Sequence, residues 1–184
     1  YACSTEDQML RMGARVADSL QMSDATLKML PAAMESIRIG VAKRGAPADD
    51  FRIDNFWAWH IKKDRAVSMY EARRELVFRG SMLPPFTLHH FLDADEEKLV
   101  IDKWDAFAKA FWTRSGVVEG VPEPLVDKLI GELSSSGTLD DIDYQIERFK
   151  KFEAGGLTDL AIRLFDDPMD GLKMIGERIV PEFH

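Results

Sequence analysis

Four stretches carry side chains able to do chemistry. The first is Cys3-Ser4-Thr5-Glu6. Two hydroxyls stand there just ahead of a helix start, where unpaired backbone N–H groups favour an anion. The plainer role for Thr5 is to cap that helix. The second is Gln21-Met22-Ser23, a polar strand end that can touch a ligand or, at Ser23, cap the next helix. The third covers residues 57–63. Strand alternation puts Phe56, Ala58 and His60 on one face and Trp57 and Trp59 on the other. Imidazole titrates near neutral pH, so His60 is a candidate proton donor, the alternative being a structural histidine. The tryptophans read as core, and Lys62-Lys63 as a solvated loop. The fourth is Arg163, just before Leu164-Phe165-Asp166-Asp167. Its guanidinium suits an anionic cofactor or substrate, or a salt bridge to a neighbouring acid.

Other chemistries find little support. His89 and His90 are adjacent, so their side chains diverge, and no partner ligands share a metal-binding spacing. No metal is expected. The one cysteine forms no internal disulfide and no thiolate cluster. No glycine-rich phosphate loop and no hydroxyl–base–acid triad occurs. The net charge of −8 without a basic patch argues against nucleic acid and against an anionic membrane surface. No apolar run reaches the roughly 20 residues of a membrane span. A cytoplasmic chain acting on a small molecule is expected.

The elements that must position these residues alternate. β-like runs at residues 1–4, 17–22, 51–61 and 157–165 are separated by helical stretches at about 5–16, 26–44, 64–79, 138–154 and 166–179. On the first helix Met9, Leu10, Met12, Gly13 and Val16 read as the buried face. Gly45-Ala46-Pro47 ends the second helix. From about 80 to 133 the rhythm breaks into a helical insertion, punctuated by Pro84-Pro85, Gly116, Pro122 and Pro124. Within it Trp104, Phe107, Ala108, Phe111 and Trp112 form a stripe that reads as its buried face. Ser134-Ser135-Ser136-Gly137 reads as a turn. Strands alternating with helices imply right-handed crossovers and a parallel sheet. Residues 1–184 are thus one α/β domain, either a small doubly wound sheet or four βα units of a (β/α)8 barrel.

The order of signals resembles the bacterial-luciferase-like superfamily of flavin- and F420-dependent oxidoreductases. Residues 1–20 resemble a block in which a strand ends in small residues, a helix comes next, and an Ala-Asp-Gly turn opens the next strand; Ser19 stands here in place of the glycine. Ser-Gly-Thr-Leu-Asp-Asp at 136–141 and Phe-Glu-Ala-Gly-Gly-Leu-Thr-Asp-Leu at 152–160 resemble the closing block. Asp-Pro-Met-Asp-Gly-Leu at 167–172 and Ile-Val-Pro-Glu-Phe at 179–183 are similar to its last helix and tail. The middle, Ile61-Lys-Lys-Asp64 running into an Ala/Arg helix and the helical insertion, looks most like the methylenetetrahydromethanopterin reductase branch.

This resemblance implies a (β/α)8 TIM-barrel type, with the last four βα units and the helical insertion present here. Tyr1 would then come after upstream sequence, with no signal peptide at this point. It implies hydride transfer or monooxygenation on F420, or alternatively FMN, with Cys3, Ser4, Thr5, Ser23 and Arg163 binding the cofactor and His60 catalytic. Ser4 and Thr5 stand where the family often has glycine. Half a barrel leaves open edges, so the missing N-terminal half, a second chain or a homo-oligomer is expected to close it. The alternative function is a non-catalytic half-barrel that dimerises.

Overall fold

A computed structural model describes residues 1–45, 47–80 and 85–183, and the side chains of all these except 77–80, 85 and 86. Ala46 and Pro84, expected at helix ends, lie outside the described residues. The chain divides into two compact units. The first comprises Tyr1–Trp57 and Glu147–Ile162, the second Ala58–Ile146 and Arg163–His184.

In the first unit, β1 (Ala2–Cys3), β2 (Ser19–Ser23) and the start of β3 (Arg52–Ile61) pair in parallel. The register sets Cys3 against Gln21 and Gln21 against Asp54. Parallel neighbours demand crossovers, supplied by α1 (Asp7–Val16) and α2 (Leu30–Val41). The two helices meet at Gly40. A Cβ there would lie 2.4 Å from the Arg11 carbonyl oxygen and 2.7 Å from the Ala14 Cβ. Backbone cannot yield cheaply, so Gly40→Ala is expected to destabilise by about 1–3 kcal/mol. Gly45→Ala, which meets nothing within 4 Å, is the control in the same urea titration.

α1 buries Leu10, Gly13 and Ala14. Met9, Met12 and Val16, expected inside, are exposed. The helix sits so close to β1 and β2 that a Gly13 Cβ would touch Ala2 and Leu20. So the buried arc is narrow and its centre is small residues rather than methionines.

The second unit takes the end of β3 and pairs it in parallel with β4 (Ser134–Gly137), Ala58 facing Ser134 and His60 facing Ser136. This strand overturns the expected turn at 134–137. Serine is a poor strand former, but here the hydroxyls are satisfied inside: Ser134 Oγ donates to Ile130 O (2.7 Å) and Ser135 Oγ to Gln145 (2.7 Å). α3 (Arg65–Gly80) comes after β3, with Asp64 Oδ1 accepting the Val67 N–H at 3.0 Å. The insertion is helical as expected: α4 (Pro85–Leu88), α5 (Ala94–Asp102), α6 (Trp104–Trp112) and α7 (Glu123–Leu133). Its stripe is only partly inward. Phe107 is buried and Trp104, Ala108 and Phe111 are half-buried, but Trp112 is 80 % exposed.

After α8 (Ile142–Ala154), β5 (Asp159–Leu164) pairs with β3. In the first unit Thr158 N donates to Ile53 O at 2.9 Å, and Arg52 and Asp159 form an ion pair. Every residue of β5 is only half-buried. Asp167 takes a left-handed conformation (φ 51°) and leads into α9 (Pro168–Met174), prolonged by one π-helical turn, Ile175–Ile179.

Candidate active site

His60 lies one residue before the end of β3 and is fully buried. Its Nδ1 is 2.8 Å from Glu71 Oε1, on α3. The second Glu71 oxygen accepts the Asp166 N–H (2.9 Å) and faces Lys62 Nζ at 3.0 Å. Eleven residues from His60 to Glu71 carry the chain out of β3 and back along two turns of α3, so the pair needs only the strand–helix connection. Phe165 stacks on the imidazole, ring centroids 4.5 Å apart and planes 24° apart. The Arg163 guanidinium lies 4.6 Å from the other partner of that stack, the Phe165 ring. Two sequence candidates, His60 and Arg163, thus meet around one aromatic ring.

Burial pushes the His60 pKa below its ordinary value, and the Glu71 hydrogen bond only partly opposes this. Burial also presses the Glu71 carboxyl upward, but the bonds from His60 and Lys62 outweigh it and hold it low. Glu71 is therefore a carboxylate, since the Asp166 N–H and the Lys62 ammonium converge on it whatever the state of the imidazole. An ionised carboxylate only accepts hydrogen bonds, so His60 Nδ1 must carry a proton. Neutral His60 then has a bare lone pair at Nε2, and that buried atom has no hydrogen-bond partner among the described residues.

Lys62 departs from the solvated loop that the sequence suggests. Its side chain is four-fifths buried, its ammonium facing Glu71 and donating to the Asp166 carbonyl. Asp166 in turn receives Arg74 at 2.8 Å, which holds its carboxyl below the usual range. Glu71 and Lys62 escaped sequence reading because nothing in a helical acid or a loop lysine marks it as bound. Their one signal was the placement of Lys62 two residues beyond His60.

Beside these residues a groove of about 540 Å3 opens, lined by Ile61, Val67, Ile142 and Met174 among others. Its cations face acids already: Lys63 to Asp170 at 2.9 Å and Arg178 to Asp143 at 3.6 Å.

In the first unit Cys3 ends β1 with an exposed thiol directed at Gln21 Oε1 (3.8 Å). Ser4 N donates to Gln21 O at 3.0 Å. The helix cap is Glu6, not Thr5; Ser4 Oγ accepts the Glu6 N–H at 3.3 Å. The first helical hydrogen bond runs from Leu10 N to Glu6 O (2.8 Å), so the N–H groups of Asp7, Gln8 and Met9 have no partner within the helix. Ser23 Oγ donates to Asp24 (3.1 Å). Sequence reasoning also missed Asp54. Burial raises its pKa against the pull of Gln21 and Tyr1, and its Oδ1 has no partner among the described residues.

Among the described residues no group of three or more His, Cys, Asp or Glu side chains is arranged to hold a metal, and no helix is long and apolar enough to cross a membrane.

No family model matches the chain. Solved structures match its fold. The coenzyme F420-dependent tetrahydromethanopterin reductase of Methanopyrus kandleri aligns over 99 % of this chain and 50 % of its own, with TM-score 0.73 and 18 % identity. An F420-dependent secondary alcohol dehydrogenase aligns over 99 % of this chain and 48 % of its own, with TM-score 0.66 and 14 % identity. The fold is therefore α/β of the (β/α)8 barrel type. In sequence the chain is similar to the methylenetetrahydromethanopterin reductases: the Archaeoglobus fulgidus 5,10-methylenetetrahydromethanopterin reductase is 28 % identical over 99 % of the chain. The chain spans about half the length of these relatives, 53 % in that case.

Proposed function

We propose that the chain is part of a luciferase-like oxidoreductase that uses F420, with FMN as the alternative, for hydride transfer or monooxygenation of a small molecule. The observation that carries this reading is the similarity, along 99 % of the chain, to about half of a 5,10-methylenetetrahydromethanopterin reductase. Such cofactors bring the redox chemistry themselves, and the protein binds, orients and shields them.

The residues present fit the phosphate end of either cofactor at the exit of β1. The free N–H groups of Asp7, Gln8 and Met9 and the Thr5 hydroxyl are suitable donors, backed by the dipole of α1. Glu6 is exposed to solvent, which screens its charge, and the Asp7 carboxylate is engaged by Ser36 Oγ at 3.1 Å. Cys3 and Ser4 shape the backbone there, Ser23 borders the next strand end, and Arg163 offers a cation to an anionic cofactor or substrate. In the second unit His60 can hold or take a proton.

Calorimetric titration with F420 and with FMN tests the reading. Micromolar binding of one of them is expected. Ser4→Ala/Thr5→Ala should weaken it about tenfold, the loss of a hydrogen bond to a charged group. Glu6→Gln should tighten it. No binding of either cofactor to the chain, alone or with its native partner, overturns the proposal.

The half-buried state of every β5 residue favours a second reading, in which the chain pairs with another chain or with itself. Native mass spectrometry separates the two. A dimer of the 20.9 kDa chain without added mass favours pairing alone. An added mass matching F420 or FMN favours the enzyme.

A further inference from the structure

The groove beside Lys62 is built by the second unit alone, since each residue that lines it belongs there. At about 540 Å3 it has the size of a small-molecule site. Its floor is apolar. Ile61 and Ile142 are buried, while Leu139 is 46 % and Val67 55 % exposed. Aliphatic side chains left half in water on the wall of a concave site are surface that a ligand gains by covering. The walls are irregular as well. Asp167 lines the groove in a left-handed conformation (φ 51°). The turn Ile175–Ile179 is π-helical and carries Glu177 and Arg178, which also line it. Both irregularities cost free energy, and such features concentrate at ligand sites.

The charges decide which ligand suits this groove. Lys63 pairs with Asp170 (2.9 Å), Arg178 with Asp143 (3.6 Å) and Lys173 with Glu177 (3.8 Å). The lining holds as many acids as cations. A charged ligand would therefore give up its hydration on an apolar floor without a counter-charge waiting for it. One polar anchor remains. The Lys62 ammonium has three N–H donors. One faces Glu71 Oε2 at 3.0 Å and another goes to the Asp166 carbonyl. The third is left for water or for an acceptor in the groove, which Lys62 lines. Because Glu71 already balances its charge, this donor suits a neutral oxygen. We propose that the groove binds an uncharged small molecule, its apolar body against Leu139, Ile142 and Met174 and a carbonyl or hydroxyl oxygen accepting from Lys62. This site goes beyond the cofactor reading and stands whether or not the chain binds F420 or FMN.

Cyclohexanone is the probe: neutral, compact and carrying one carbonyl. Its titration into the chain is followed by NMR of the methionine and leucine methyl groups and of the Lys62 ammonium nitrogen. The signals of Met174, Leu139 and Lys62 Nζ should move together and saturably. Cyclohexanecarboxylate and cyclohexylammonium present the same ring with a charge, and each should bind at least about tenfold more weakly. Leu139→Glu alters a side chain that is nearly half exposed, so the fold should tolerate it. It should weaken cyclohexanone about tenfold by placing a charge on the floor. Lys62→Met should weaken it about fivefold, the loss of one hydrogen bond. Should that variant not fold, the Lys62 signal of the unaltered chain reports the same contact. No saturable shift at Met174, equal binding of either charged analogue, unchanged affinity in Leu139→Glu, or a Lys62 nitrogen that ignores the ketone overturns the proposal.

Discussion

Trp57→Ala is expected to lower the unfolding free energy by about 3–5 kcal/mol, the range for truncating a large buried aromatic. Trp57 is completely buried. Its ring meets Phe152 edge-on, centroids 5.4 Å apart at 64°, and the Arg148 guanidinium lies 4.5 Å from its centroid. Both partners come from α8, so the side chain ties β3 to the helix that precedes β5 within the first unit. Alanine would remove the aromatic pair and the cation–π contact and leave a cavity that two helix-borne side chains cannot close. Trp57→Phe should recover much of the loss. The control is Trp112→Ala. That ring is 80 % exposed, and surface changes of this kind usually fall within about 0.5 kcal/mol. Urea unfolding followed by circular dichroism gives both values. Equal losses at the two positions would mean that the tryptophan on the inward-facing side of the strand–helix layer carries no more of the core than one on the surface.

The same pair of tryptophans shows how far the sequence could be read. Trp57 sits in a run of β-formers with period-two alternation, and its burial against a helix is what that period implies. Trp112 sits in a helical stripe just as regular, yet it faces out. Helical spacing identifies a face but not what covers it, and coverage is a tertiary property. The alternation of strands and helices was legible because crossover connections impose it. β4 was not, because four small polar residues carry no strand preference of their own. They become a strand through pairing with residues 58–61 and through hydroxyl partners on α7 and α8. At the candidate site the sequence supplied His60 and Arg163, residue types whose chemistry is visible in isolation. It did not supply Glu71 or Lys62, whose importance lies in what they touch. The partner of His60 stayed hidden for the same reason: the imidazole is visible in the sequence, whereas the Glu71 carboxylate against its Nδ1 is not. Thr5 lost the cap to Glu6 because the chain leaves β1 by one residue more than the pattern of hydroxyls suggested.

Glu71→Ala is expected to destabilise the protein by about 3 kcal/mol and to change how stability depends on pH. The carboxylate is nearly fully buried and receives the Asp166 N–H, Lys62 and His60. Removing it strands several donors at once, and breaking a buried charged network from one side is costly. The pH dependence comes from the directions of the two shifts. His60 binds its proton more weakly in the folded chain than in the unfolded one, because burial disfavours the imidazolium. Between the two values the unfolded chain holds more protons, so stability rises with pH. This contribution is complete above the unfolded value, about 6.5, and is lost as pH falls toward the depressed folded value. Glu71 is also lowered on folding. Its contribution is complete above the ordinary carboxylate value, about 4.3, and is lost as pH falls through the folded one. Wild-type stability should therefore decline on acidification in two stages. In Glu71→Ala the lower stage disappears. The upper stage stretches to lower pH, since the carboxylate that raised the His60 value is gone. Chemical denaturation from about pH 8 to pH 4 measures both curves, with His60→Gln as the reference that lacks the upper stage. A wild-type curve flat between about pH 7 and pH 5, or identical to that of His60→Gln, would mean that the buried imidazole is not held neutral.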